Sequence, residues 1–319
     1  VEILPGIHRI EAPLGERYVA LYLIVGDDAS LLVDTGLDES IRSSLIPYME
    51  SIGHPSDRVR YVVNTHADFD HVGGNEAVRG LCPDALLLCG AKDRAQIEDI
   101  EVMIDDRYGE FRRHGFDETP ETKNFIRAVA HTVPVDGARG AGDVIDLGGR
   151  RLEVLEVPGH SRGHIGVYEP ELRAAFIGDA VLWDSVLTTA GDPAFPPTYR
   201  DVAPYRDTIR QILDLAPDHL LTAHYGVESG NGVQGFLRGS QNYTDLVETV
   251  IVEILDSTRT PLTLLEIIDR GRDRLGPWPA EASLYLVYPV LGHLEDLSTR
   301  GVVTQADNSP GTPRFETVR

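Results

Sequence analysis

The stretch Tyr61–Asn75 reads Tyr-Val-Val-Asn-Thr-His-Ala-Asp-Phe-Asp-His-Val-Gly-Gly-Asn, and it constrains the chain more than any other segment. Tyr61–Val63 is a short apolar run of the kind that forms a buried strand. It delivers four potential metal ligands within six residues: His66, Asp68, Asp70 and His71. Side chains alternate along an extended backbone, so His66, Asp68 and Asp70 can point the same way. His71 joins them as the backbone turns toward Gly73-Gly74 and a helix start. One His beside an Asp is usually a surface pair; four such groups packed at a strand end are hard to explain as solvated surface. Imidazole and carboxylate together suit a borderline or fairly hard divalent metal.

Four more segments place polar residues at the ends of apolar runs. Asp34-Thr35-Gly36 follows Ser30–Val33, and Pro158-Gly159-His160-Ser161-Arg162-Gly163-His164 follows Arg151–Val157. Gly178-Asp179-Ala180 follows Ala174–Ile177, and His224-Tyr225-Gly226 follows His219–Ala223. Each alone is weak; a Gly-Asp or a strand-end turn is common. In this order, and with Tyr61–Asn75, they resemble the metallo-β-lactamase superfamily, whose first motif is His-x-His-x-Asp-His. Asp68 stands where that motif has its second His. The Pro-Gly-His segment is similar to that of glyoxalase II-like hydrolases.

The resemblance covers roughly residues 1–226 and implies an α/β fold, the metallo-β-lactamase αββα sandwich. It implies a first metal site of His66, Asp68 and His160, and a second of Asp70, His71 and His224, with Asp179 bridging. Asp34 is expected to brace the metal loop, and His164 to act as a supporting or structural His. Two divalent ions are implied, Zn first, with Fe or Mn as alternatives because a carboxylate at 68 makes the site harder. Two cations sharing a water would lower its pKa; Asp70 would orient that water as well as bind metal. Trp183 and Tyr225 are candidates for the substrate pocket, Tyr225 also for oxyanion contact, although an adjacent aromatic is more often packing.

The strand and helix pattern fits two units. Residues 1–230 alternate strands with helices such as 39–52, whose Ile41, Leu45, Ile46, Met49 and Ile52 recur at helical spacing. Residues 91–131 look like a helical insertion, with Ile97, Ile100, Ile104, Tyr108 and Phe111 on one face. The insertion and the aromatic 181–199 loop are expected to border the site. Gly137–Gly142 reads as a turn. Residues 231–319 form a C-terminal helical, winged-helix-like module: a helix over 233–256, a capping box at Thr263-x-x-Glu266, a helix over 281–299 interrupted by Pro289, and a small strand pair near Gly301. This module is expected to pack on the catalytic unit or to form a homodimer contact through Tyr285, Leu286 and Tyr288.

Composition narrows the chemistry. The 319 residues carry 42% hydrophobic and 25% charged side chains, as globular proteins do. A net charge of -22 repels phosphate backbones and anionic lipid, and no basic cluster overrides it. No apolar run approaches the ~20 residues of a membrane helix. Cys82 and Cys89 make no disulfide framework, and a cytoplasmic location is expected. A small-molecule substrate without nucleic-acid or membrane partners follows, and the leading function is metal-dependent hydrolysis of an ester, thioester or lactone. The alternatives are a phosphodiesterase or nuclease, since competence-type nucleases also resemble this chain in having Asp at that position, or a di-iron redox protein.

Overall fold

The computed structural model describes residues 1–258, 260–306 and 311–318. Its first sheet follows chain order: β1 (Glu2–Leu4), β2 (Ile7–Leu14), β3 (Arg17–Val25), β4 (Ser30–Val33), β5 (Val59–Val63), β6 (Leu86–Gly90) and β7 (Gly137–Arg139). The first four strands are antiparallel, and β4 to β7 run parallel. Parallel neighbours put their C-terminal ends on one edge, so Asp34 after β4 and His66 after β5 emerge side by side.

The second sheet contains β8 (Val144–Asp146), β9 (Arg151–Glu156), β10 (Ile165–Glu169) and β11 (Ala174–Gly178). A hairpin, β12 (Val186–Leu187) with β13 (Pro193–Phe195), interrupts it before β14 (His219–Thr222) and β15 (Glu228–Ser229) complete the order β15-β14-β11-β10-β9-β8. β10 and β11 are buried along their whole length, as strands covered on both faces must be. β11 and β14 are parallel, so Asp179 and His224 emerge at the same edge.

The two sheets face each other across one apolar layer, in which Tyr22 and Phe176 meet edge to face with ring centroids 5.3 Å apart. The outer face of the first sheet is covered by Ile41, Leu45, Met49, Val78 and the insertion's Ile97, Met103 and Ile104. The outer face of the second is covered by the helix Val202–Leu215, whose Val202, Tyr205, Ile209 and Ile212 recur at the helical spacing of a buried stripe. The result is the expected αββα sandwich.

The C-terminal module packs on the outside of the second sheet and shares its core: Val247, Ile251, Leu286 and Leu294 belong to the same apolar cluster as Tyr205 and Ile209. It comprises the helices Asn231–Ser257, Leu264–Leu275 and Val287–Thr299, and a three-stranded antiparallel sheet of β16 (Leu262–Thr263), β17 (Val303–Ala306) and β18 (Arg314–Thr317). Both arms of the capping box form: Glu266 N donates to Thr263 Oγ1 at 3.2 Å and Thr263 N to Glu266 Oε2 at 2.8 Å. Pro289 does not interrupt its helix, because it lies in the first turn, where a missing N–H costs nothing.

Two further local expectations change. Gly137–Arg139 is a parallel edge strand and not part of a turn: pairing with Leu88–Gly90 overrides the poor strand propensity of Gly-Ala-Arg. The insertion is several short helical pieces instead of one helix. Asp99 breaks it at φ -148° and caps the next piece by accepting from Glu101 N at 2.9 Å. Among the described residues no helix is long and apolar enough to cross a membrane.

Candidate metal centre

Every ligand candidate sits at the common edge of the two sheets, on strand-end loops except for Asp70 and His71, which lie in the one-turn helix Phe69–Val72. His66, Asp70, His71, His160, Asp179 and His224 are buried, and Asp68 is partly exposed. Two glycines make the approach possible. Gly178 holds φ +50°, and a Cβ there would stand 2.6 Å from Thr65 Oγ1, so only glycine lets β11 deliver Asp179 against the His66 loop. Gly159, at φ +135°, abuts the backbone of Tyr205 with no room for a side chain.

Each imidazole in the second cluster is oriented by a bond on its far side. His71 Nδ1 donates to Asp34 Oδ2 at 2.8 Å, and His224 Nδ1 to the carbonyl of Tyr18 at 2.8 Å. Both Nε2 atoms therefore face inward, where a neutral ring would offer its lone pair to a cation. Asp34 also accepts from Thr65 N at 2.7 Å and Thr65 Oγ1 at 2.9 Å. It holds φ 58°, a left-handed conformation that Asp tolerates better than most residues. Four donor atoms converge. His224 Nε2 lies 3.5 Å from Asp70 Oδ2 and 3.2 Å from Asp179 Oδ2, and His71 Nε2 lies 3.5 Å from Asp179 Oδ2. Such separations suit donors that share one ion with bonds of ~2.0–2.2 Å.

Among the described residues, His66 Nε2, His71 Nε2 and Asp179 Oδ1 are buried without a hydrogen-bond partner. Buried polar atoms are rarely left so, and a cluster of them facing one point fits a bound cation. The electrostatics agree. Burial works against the charged form of His71, but the carboxylates of Asp34 and Asp179 more than offset it and hold the imidazole well above its usual range. At His224, Asp179 and Asp70 outweigh burial in the same direction. Asp179 is held well below the carboxylate range, since His224 and His71 override burial.

The first cluster also assembles, with His66 Nε2 3.5 Å and His160 Nε2 3.0 Å from Asp68 Oδ2. It contains a residue absent from the sequence-derived site. Arg107, from the insertion, donates from Nε to Asp68 Oδ1 at 2.7 Å and from Nη2 to Asp68 Oδ2 at 2.9 Å. It also meets the carbonyl of His160 at 3.1 Å and His160 Nε2 at 3.1 Å. Burial would raise the Asp68 carboxyl, yet Arg107 and the two imidazoles hold it well below its usual range. Burial, followed by the Arg107 charge, pushes His160 down to about 4.

Supporting residues take distinct roles. His164 stacks on His66 with centroids 4.6 Å apart and bonds the carbonyl of Ile165, outside the ligand clusters. Asp93, also missed in the sequence, anchors the His160 loop by accepting from Ser161 Oγ at 2.5 Å and Gly163 N at 2.7 Å. Tyr225 is buried with its hydroxyl engaged by the 181–199 loop, accepting from Trp183 N at 3.1 Å and donating to the carbonyl of Ser185 at 3.0 Å. That hydroxyl is thus committed to the loop and not free for an oxyanion. Trp183, Tyr225 and His224 line one cavity of about 560 Å³.

A second cavity, about 170 Å³, opens on Asp68, Asp70, Asp179 and His224 and is walled by Phe69, Tyr108, Phe195, Tyr285 and Tyr288. It adjoins a larger one of about 810 Å³, where Leu14, Phe116, Leu265 and Leu284 meet Arg17, Phe195 and Tyr285. The insertion, the 181–199 loop and the C-terminal module all contribute to these walls. Tyr285 and Tyr288, expected above to pack on the catalytic unit or to form a dimer contact, line the smaller cavity within their own chain.

Comparison with known proteins agrees with this geometry. The family model described as "Metallo-beta-lactamase superfamily" matches residues 14–224. Hydroxyacylglutathione hydrolase of Thermosynechococcus vestitus is 27% identical over 175 residues, 55% of this chain and 52% of that protein, so the chain spans about half of that relative's length. The acyl-coenzyme A thioesterase MBLAC2 of Gallus gallus is 28% identical over 239 residues, 70% of this chain and 77% of that protein. A metallo-beta-lactamase family protein of Thermus thermophilus shares the fold, with a TM-score of 0.77 at 22% identity, covering 99% of this chain and all of that one. With two thirds of its length matched, the chain belongs to the metallo-beta-lactamase superfamily.

Proposed function

We propose that the protein is a metal-dependent hydrolase of acyl thioesters, with esters and lactones of similar shape as further substrates. One observation carries this reading: Asp70, His71 and His224 form a ligand group, with Asp179 3.2 Å from His224, and Asp70, Asp179 and His224 lie at the floor of a cavity walled by aromatic side chains. A divalent ion there would supply a Lewis acid and a water of lowered pKa. Zn fits the donor set, and Fe or Mn suits its carboxylates.

The chain's own residues do the rest. Asp70, at the cavity floor, accepts a hydrogen bond from the attacking water and aligns it. The acyl group lies along Phe195, Tyr285 and Leu284, where apolar burial favours it and water is excluded. At about 810 Å³ the outer cavity has the size of ordinary small-molecule sites. The thiol portion points outward toward Arg17. The names of the two curated relatives, one for a glutathione thioester and one for a coenzyme A thioester, support the bond type. The net charge of -22 argues against nucleic acid as substrate.

The test is a panel of short- and long-chain acyl-coenzyme A, acylglutathione, aryl esters, lactones and bis-p-nitrophenyl phosphate, before and after metal removal. Thioesters should turn over best, lose turnover with the metal and regain it on reloading. Undiminished turnover by demetallated protein, or turnover of the phosphodiester alone, would refute the reading.

A further inference from the structure

We propose that Arg107 is the resident cation of the first ligand cluster, so that the chain binds a single divalent ion tightly, among Asp70, His71, Asp179 and His224. The inference rests on the metal-dependent reading above and departs from the two-ion site expected from the sequence.

Hydrogen-bond accounting carries the argument. A guanidinium has only donors and does not lose its proton in proteins. His160 Nε2 lies 3.1 Å from Arg107 Nη2 and 3.0 Å from Asp68 Oδ2, so the nitrogen a metal would need is already engaged by the pair, as acceptor from one or donor to the other. Both Asp68 oxygens already accept from Arg107, at 2.7 and 2.9 Å. Asp68 with Arg107 thus forms a net-neutral pair where the superfamily motif has a neutral imidazole. A second dication would have to enter beside a fixed positive charge.

Arg107 cannot readily step aside. Its guanidinium stacks 4.5 Å from the ring centroid of Tyr288, and the Tyr288 hydroxyl donates to the Arg107 carbonyl at 3.2 Å. Unlike lysine, arginine cannot respond to a nearby dication by deprotonating. The second cluster differs in this respect: among the described residues, Asp70 and Asp179 pair only with histidines. The sequence shows the same logic. Arg107 lies on the apolar face of the insertion, three residues after Ile104 and four before Phe111, where an unpaired charge would be costly.

The test is metal stoichiometry of the full-length protein. Metal-free samples are titrated with Zn²⁺ and with Mn²⁺ against a competing chelator, and metal per chain is counted after desalting. Wild type should hold one equivalent, with any second at least ~100-fold weaker. Arg107→Met should acquire a second equivalent within ~10-fold of the first, because His160 and a bare Asp68 become free to bind it. The double variant Asp68→His with Arg107→Met leaves no unpaired charge and should also hold two, which keeps the test decisive if the single variant fails to fold. Two tight equivalents in wild type, or one in a folded variant, would overturn the proposal. No tight equivalent in wild type would instead overturn the metal-dependent reading itself.

Discussion

Replacing Asp34 by Asn should weaken metal binding by one to two orders of magnitude while leaving the fold intact. Asp34 is 1% exposed, and its φ of 58° is one that Asn tolerates, so the substitution changes charge and acceptor count with little backbone strain. The two carboxylate oxygens serve different donors: Oδ1 takes Thr65 N at 2.7 Å, and Oδ2 takes His71 Nδ1 at 2.8 Å. An amide has one acceptor oxygen, so whichever way it turns, its NH₂ confronts one of these donors. An unpaired buried donor costs ~1–3 kcal/mol of stability. His71 then loses the bond that fixes its tautomer and aims Nε2 at Asp179. Loss of such an orienting partner typically lowers metal affinity 10–100-fold, about 1.4–2.7 kcal/mol. The assay is Zn²⁺ titration against a fluorescent chelator, with urea unfolding of the metal-free protein alongside. Thr65→Val is the control, removing a hydroxyl that bonds Asp34 but no contact to His71. Wild-type metal affinity in the Asn variant would refute the idea that Asp34 acts through His71.

Three further outcomes are expected. Arg200→Met should destabilise the protein by ~1–3 kcal/mol in urea unfolding, because buried Arg200 joins Glu110 of the insertion to Glu295 of the C-terminal module at 2.9 and 2.7 Å, while the two partly exposed carboxylates regain water when it is lost. Tyr225→Phe should cost ~1–2 kcal/mol in the same measurement and leave metal stoichiometry at the wild-type value, since among the described residues its hydroxyl bonds only the backbone of the 181–199 loop. Burial pushes the Cys82 thiol up to about 11 and Cys89 up to about 12, so neither should react with a thiol reagent at pH 8 until denaturant is added, when both should titrate.

Much of the site was legible because its ligands sit on short motifs at the ends of apolar runs. His66, Asp70, His71, Asp179 and His224 each follow a strand whose hydrophobic pattern is local, and parallel pairing brings those ends to one edge. Arg107 was not legible in the same way. It lies 39 residues from Asp68, inside a segment that reads as an amphipathic helix, and nothing local states its partner. The available signal was negative: a charge on an otherwise apolar face implies a buried counter-ion. Asp93 escaped for a similar reason, since its partners Ser161 and Gly163 are 68 and 70 residues away. Gly137–Arg139 forms a strand only because β6 offers an open edge, a tertiary effect that propensity does not carry. The small sheet of the C-terminal module was legible only in part, because β18 pairs with β16 across some 50 residues of intervening chain.

The most direct test of the metal centre is anomalous diffraction from metal-loaded crystals of the wild-type protein, recorded on both sides of the metal's absorption edge. The expected result is one strong anomalous peak, at ~2.0–2.2 Å from Asp70, His71, Asp179 and His224, with Arg107 still paired to Asp68. A peak lying instead between His66, Asp68 and His160, or no peak at either cluster, would contradict it.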